Sequence, residues 1–265
     1  MSTTLDFARQ TARQAGHLLR ELYHGSHQVR FKSSDIDLVT EADLASEQLV
    51  LEAINSRFPE HAILTEEGGG GAQPTGGEAS HLWLVDPLDG TVNYAHGFPF
   101  WGVSLALLEA GKVSLGVIYD PLRDEIFWAE RGKGAWCNNQ RIHVSSASRL
   151  REALVATGFA YRRATIPDNN LAEFSALMPQ VQGVRRAGAA VLDLAYVAAG
   201  RLDAYWEMHL HPWDWAAGVL LVQEAGGQVS NLDGRPWSLE TKGLLASNGP
   251  LHRLLQALLR EARQR

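Results

Sequence analysis

Trp83-Leu84-Val85-Asp86-Pro87-Leu88-Asp89-Gly90-Thr91 is the stretch on which the reading of this chain turns. An apolar strand delivers Asp86 at its end, Pro87 forces a turn, and Asp89 follows three residues on. Gly90 and Thr91 then open a helix. Two carboxylates at this spacing converge, and the Leu88 carbonyl between them can point the same way; such hard oxygen donors suit a divalent cation. Without a cation or proton between them the two charges repel. The Gly90 and Thr91 amides at a helix start offer a nest for an anion such as phosphate. Taken alone, Asp-Pro-x-Asp-Gly is also an ordinary surface β-turn, so the surrounding sequence has to decide.

Upstream, Leu5, Ala8, Ala12, Ala15, Leu19 and Leu22 recur at helical spacing and predict an amphipathic helix over residues 3–23. Thr40-Glu41-Ala42-Asp43 starts a second helix, with Leu44, Leu51 and Ile54 as its apolar stripe until Pro59. Residues 62–64 form a short strand ending at Glu66-Glu67, followed by a glycine-rich loop, 68–77, without periodicity. From 81 to 144 the pattern is strands at 81–85, 102–108, 113–119, 125–129 and 134–136, with turns short enough for an antiparallel meander. After 150, strands near 154–156, 203–207 and 244–247 alternate with helices near 168–181, 189–199, 213–225 and 250–263. The expected fold is therefore an α+β and α/β layered sandwich of one domain, 1–265. Its sub-domains are 1–148, helices on an antiparallel sheet, and 149–265, a smaller α/β half.

Composition narrows the function classes. With 45% hydrophobic residues in 265, the chain can bury a substantial core. No apolar run approaches the roughly 20 residues that cross a bilayer, and residues 1–23 lack the greasy block of a secretion signal. The single cysteine, Cys137, excludes an internal disulfide and a thiolate metal cage. A net charge of −6 with no large basic block argues against nucleic acid as a partner. These priors point to a cytoplasmic enzyme without a membrane partner.

The other acidic candidates are ambiguous singly. Glu66-Glu67 ends a strand close in sequence to the Asp86 turn, but also reads as a solvated pair. Asp214, in His211-Pro212-Trp213-Asp214-Trp215, sits where any helix favours an acid, and so does Asp43. Together they form an ordered set: Asp37-Leu38-Val39-Thr40-Glu41-Ala42-Asp43, Leu64-Thr65-Glu66-Glu67, the Trp83–Thr91 stretch with Val92-Asn93, Glu207, the segment from His211 to Gly218, and Glu224-Ala225-Gly226-Gly227. In this set the chain resembles the inositol monophosphatase family along nearly its whole length.

The resemblance implies hydrolysis of phosphate monoesters with Mg²⁺, two or three ions, and inhibition by Li⁺. It implies that Glu66, Asp86 and the Leu88 carbonyl hold one ion, and Asp86, Asp89 and Asp214 a second. Thr91, with Asp43 and Glu66, is then expected to orient and deprotonate the attacking water. Gly90, Thr91, Asp89, Ala190, Glu207 and Asp214 become the substrate-binding residues. Such chemistry needs charge on the phosphoryl oxygens, an in-line water and a stabilised leaving alkoxide, which paired ions supply. The expected ester is inositol 1-phosphate, with histidinol phosphate, fructose 1,6-bisphosphate and 3′-phosphoadenosine phosphate as alternatives. A non-catalytic regulator that kept the fold is the reading from another class; every expected acidic position is filled, which speaks against it. The resemblance also implies a homodimer.

Other features carry less. Lys32 is a candidate for the phosphate or a further metal, against the ordinary solvated lysine of a polar loop. Tyr161, Arg162 and Arg163 either meet a second acidic group of the substrate or face solvent. His209 and His211 have no third nitrogen or sulfur ligand nearby for zinc, and residues 68–71 are not followed by the Gly-Lys-Ser/Thr of a P-loop.

Overall fold

Seven strands build the larger sheet: β3 (Ala62–Thr65), β4 (His81–Asp89), β5 (Gly102–Glu109), β6 (Lys112–Asp120), β7 (Glu125–Glu130), β8 (Ala135–Cys137) and β9 (Gln140–Ile142), side by side in that order. Only β3 runs parallel to its neighbour; from β4 onward the sheet is the expected antiparallel meander. A short ribbon, β1 (Val29–Phe31) with β2 (Leu38–Thr40), precedes it. The smaller sheet is mixed: β10 (Leu154–Thr157), β11 (Gly183–Arg185), β12 (Ala204–Met208), β13 (Gln228–Asn231) and β14 (Gly243–Ser247), in spatial order β11-β10-β12-β14-β13. This computed structural model describes residues 2–25, 29–31, 38–68 and 80–264. Lys32, Asp37 and residues 69–77 of the glycine-rich segment lie outside them.

Period-2 alternation on β4–β7 gives the larger sheet two apolar faces, and each takes its own helix pair. Trp83, Val85, Leu105, Val117 and Tyr119 pack on α1 (Thr3–Leu22) and α2 (Glu41–Arg57). Leu84, Ala106, Ile118 and Phe127 face α5 (Ala190–Ala198) and α6 (Pro212–Glu224). That helix pair is buried on both sides, because Tyr205, Leu244 and Ala246 of the smaller sheet close over it. On the outer face, Val155, Trp206 and Leu245 meet α4 (Leu171–Leu177) and α7 (His252–Arg263). The result is five layers, αβαβα. The remaining helix, α3 (Thr91–Ala95), is one short turn after β4.

Three expectations change. Pro87 does not end its strand: β4 continues to Asp89 through a bulge, Asp86 pairing with Ser104 and Asp89 with Gly102. A bulge re-aims side chains without breaking the sheet. The buried face of α2 is Ala42, Asp43, Ser46, Glu47, Val50 and Ile54, while Leu44 is 44% exposed. Polar residues hold that face because it backs the site described next. The helix expected over 168–181 is shorter, an α-turn pair at Leu171–Leu177 running into a 3₁₀ turn.

Candidate active site

Three helix starts and one strand bulge meet at a single pocket of about 410 Å³ between the two sheets. The β4 bulge supplies Asp86, the Leu88 carbonyl and Asp89, the segment after β3 supplies Glu66, and the first turn of α6 supplies Asp214. Gly90, Thr91, Ala190 and Glu207 line the same pocket. Asp43 sits one shell behind, fully buried, and reaches it through Thr91.

Local chemistry fixes each carboxylate. Asp86 is 1% exposed, and its Oδ1 accepts the Leu88 N–H at 3.1 Å, which curls the bulge back on itself. Ser46 Oγ of α2 donates to the Pro87 carbonyl at 2.7 Å. Asp89 Oδ2 accepts the Val191 N–H of the first turn of α5 at 2.7 Å, and Asp214 Oδ2 accepts the His211 N–H at 2.7 Å. Both aspartates thus lie at helix N-termini, where the peptide dipoles favour negative charge. Gly90 follows with φ of 92°, and a Cβ there would meet the Phe100 carbonyl at 3.1 Å.

Asp43 is held by three donors: the Thr40 N–H at 2.9 Å and the Thr40 hydroxyl at 2.6 Å on Oδ2, and the Thr91 hydroxyl at 2.9 Å on Oδ1. The Thr91 hydroxyl also lies 3.2 Å from the Leu88 carbonyl. Burial raises the Asp43 carboxyl above its ordinary value, and those hydrogen bonds pull against it. Asp89 is raised much further, by burial first and then by the charges of Asp214, Glu66 and Glu207.

The residues fit a divalent cation. Their donors are all oxygen, and the charges of Asp214 and Glu66 crowd that of Asp89. Among the described residues no three His, Cys, Asp or Glu side chains gather closely enough to hold an ion by themselves. Each aspartate keeps one oxygen on a backbone N–H, which fixes the carboxylate at the pocket wall.

The opposite half of the pocket is built by the smaller sheet and α5. Glu207 accepts the Tyr205 hydroxyl, and burial pushes its carboxyl up to about 7. Gly158 lies against it: a Cβ at that position would fall 1.9 Å from Glu207 Oε2. Asn170 fixes this corner, donating to Thr157 Oγ1 at 2.8 Å and the Gly158 carbonyl at 2.7 Å while accepting from Trp206 Nε1 at 2.7 Å. Asn93 ties the halves together, its Nδ2 donating to the Phe100 and Ala187 carbonyls at 2.7 and 2.8 Å. Tyr161 and Arg162 line the pocket, whereas Arg163 Nη1 turns to the Ala160 carbonyl at 3.3 Å. His209 and His211 also line it; His209 Nε2 is 2.7 Å from the Asp168 carbonyl, and the His211 ring stacks on Trp213 at 4.8 Å.

Sequence reasoning missed Asp193, which is in the lining together with Arg186, an arginine that reads from sequence as a solvated surface cation. Asp193 carried a signal: it is the one acid in an otherwise apolar helix, three residues after Ala190.

Known proteins resemble this chain along its whole length. The family profile described as the inositol monophosphatase family matches residues 1–265. An inositol-1-monophosphatase from Synechocystis sp. is 44% identical over 98% of this chain and 89% of its own length. The Nus factor SuhB of Pseudomonas aeruginosa is 46% identical over 94% of this chain and 92% of its own. The solved structure of inositol monophosphatase from Anabaena (Nostoc) sp. superposes with a TM-score of 0.88 at 46% identity, covering 98% of this chain and 96% of the other.

Proposed function

This chain belongs to the inositol monophosphatase family and is a phosphoric monoester hydrolase, and from that premise we propose that it hydrolyses inositol 1-phosphate with Mg²⁺. The observation that carries the reading is the crowding of Asp86, Asp89, Asp214 and Glu66 around one pocket beside a buried Thr91–Asp43 pair. Held by Glu66, Asp86, the Leu88 carbonyl, Asp89 and Asp214, Mg²⁺ would neutralise the phosphoryl oxygens and the developing alkoxide.

The chain's own groups do the rest. The Thr91 hydroxyl points its hydrogen at Asp43 Oδ1, so its oxygen is left to accept a proton from a water in the pocket. As that water attacks, the proton passes to Thr91 Oγ1 while Thr91's own moves onto Asp43. Glu66, whose charge acts on Asp43, helps to orient the same water. The Gly90 turn brings backbone close to the phosphoryl group, and Glu207 with the backbone of 188–190 holds the leaving group.

Relatives bearing the name Nus factor SuhB leave a non-catalytic role beside catalysis as a second reading; the filled acidic positions favour turnover. The cytoplasm and a homodimer belong to the same proposal; no described helix is long and apolar enough to cross a membrane. The test is phosphate release from a panel of esters, with and without Mg²⁺ on chelator-treated protein. Fastest release from inositol 1-phosphate, only with Mg²⁺, is expected; fastest release from histidinol phosphate reassigns the substrate.

A further inference from the structure

Asp193 is a carboxylic acid with no evident structural employment. It is 2% exposed in a helix whose other buried residues are Ala190, Val191, Leu192, Leu194, Ala195, Val197 and Ala198. Its side chain nevertheless reaches the pocket lining. Among the described residues no group hydrogen-bonds to its carboxyl; what acts on it is the loss of water, then the negative charge of Glu207 and the positive charge of Arg186. A buried polar group without a partner is costly unless a ligand supplies one.

We infer that Asp193 is a specificity residue that, together with Glu207, binds two hydroxyls of a neutral polyol leaving group. The inference rests on the phosphatase reading above and names the substrate class it takes. Glu207 already accepts the Tyr205 hydroxyl, and the missing side chain at Gly158 keeps the space in front of it open. Burial raises the Asp193 carboxyl well above the ordinary aspartate range. Carboxyl oxygens of both residues accept from hydroxyls, and a carboxyl that keeps its proton also donates, which suits the two faces of a diol. Charge selects among ligands. Arg162 and Arg186 line the same pocket, and the Arg186 charge acts against that of Glu207. A hydroxylated ring fits this half, and the ammonium of an amino-alcohol phosphate does not. The acidic half, with Asp89 and Asp214, is left to the phosphate and its cations.

The test compares Asp193→Leu, which keeps shape and loses polarity, with Asp193→Asn, which keeps a donor and an acceptor. The esters are myo-inositol 1-phosphate and p-nitrophenyl phosphate, which has no hydroxyls. For Asp193→Leu the ratio of kcat/KM between the inositol ester and the nitrophenyl ester should fall about 10- to 100-fold, mostly through KM. Asp193→Asn should restore the ratio to within about threefold of the original. An unchanged ratio in Asp193→Leu overturns the inference, as does a selective loss on an amino-alcohol phosphate instead. Saturation-transfer NMR with free myo-inositol separates this inference from the phosphatase reading. Transfer to the original protein and Asp193→Asn, lost in Asp193→Leu, supports it even if no ester is turned over. Transfer that persists in Asp193→Leu, or that is absent from the original protein, overturns it.

Discussion

The Thr91 hydroxyl lies 2.9 Å from Asp43 Oδ1, joining the turn after β4 to the first turn of α2 across 48 residues of sequence. Asp43 is fully buried, yet three hydrogen bonds hold it, two of them from Thr40. Thr40 in turn caps α2 and ends β2, and Asp43 closes the capping box, so the cap and the Thr91 contact share the Asp43 carboxylate. In the proposed mechanism this capping acid is the terminus of a proton path.

Removing that path should lower kcat and leave the fold intact. Thr91→Val and Asp43→Asn are each expected to reduce kcat by about 10²- to 10⁴-fold, the range of general-base loss. The double variant should be little worse than either single one, since the two act as a unit. Steady-state kinetics on the four proteins, with circular dichroism as the control for folding, reads this out. Additive losses would separate the pair.

Glu207 gives a pH dependence of stability with a definite sign. Its folded carboxyl is raised to about 7 from an ordinary 4.5. Between those values the native protein binds the extra proton, so this group stabilises below pH 4.5 and loses its contribution as pH rises through 7. The neutral, buried His252, lowered to about 4, works in the opposite direction below pH 6.5. His252 drops out above pH 6.5, and from there to pH 8 metal-free protein should lose Tm as pH rises, the raised carboxyls of Asp89 and Asp193 acting in the same direction. Glu207→Gln should flatten that slope in thermal scans; an unchanged slope would remove Glu207 from the account.

Gly116 on β6 meets the backbone of α6, and a Cβ there would fall 2.8 Å from Ala217 Cα. Backbone cannot step aside as a side chain can. Gly116→Ala is expected to cost about 1–3 kcal/mol of stability, the range for overpacked cores. Urea unfolding should show a lower midpoint with an unchanged slope.

Chelation should abolish turnover and Mg²⁺ should restore it. Asp86→Asn, in the pocket lining, should stay inactive at any Mg²⁺ concentration while keeping its circular dichroism spectrum. Millimolar Li⁺ should inhibit the original protein, because a site of hard oxygen donors accepts it. Turnover in Asp86→Asn equal to the original would displace the site.

What the sequence disclosed was the part governed by local rules. The apolar runs and short turns of β5, β6 and β7 and the helical stripe of α1 placed the larger sheet and its cover correctly, and Glu66, Asp86, Asp89, Glu207 and Asp214, named from the motifs, line one pocket. What stayed hidden depends on contacts far apart in the chain. Pro87 reads as a strand terminator, but β5 on its far side keeps β4 paired to Asp89 and turns the proline into a bulge. Leu44 reads as part of the core face of α2 but faces outward, while Asp43, Ser46 and Glu47 turn inward, bound to Thr91, the Pro87 carbonyl and Thr65. The three-residue strands β9 and β11 carry too few positions for any period to show. Asp193 reads as an ordinary acid in a first helical turn until the pocket is seen beneath it.

The most direct measurement is anomalous diffraction from crystals grown with Mn²⁺ as a stand-in for Mg²⁺. The account predicts peaks within about 2.0–2.4 Å of carboxylate oxygens of Asp86, Asp89 and Asp214, lost in Asp86→Asn. Peaks confined to other surfaces, with this pocket lacking any, would contradict it.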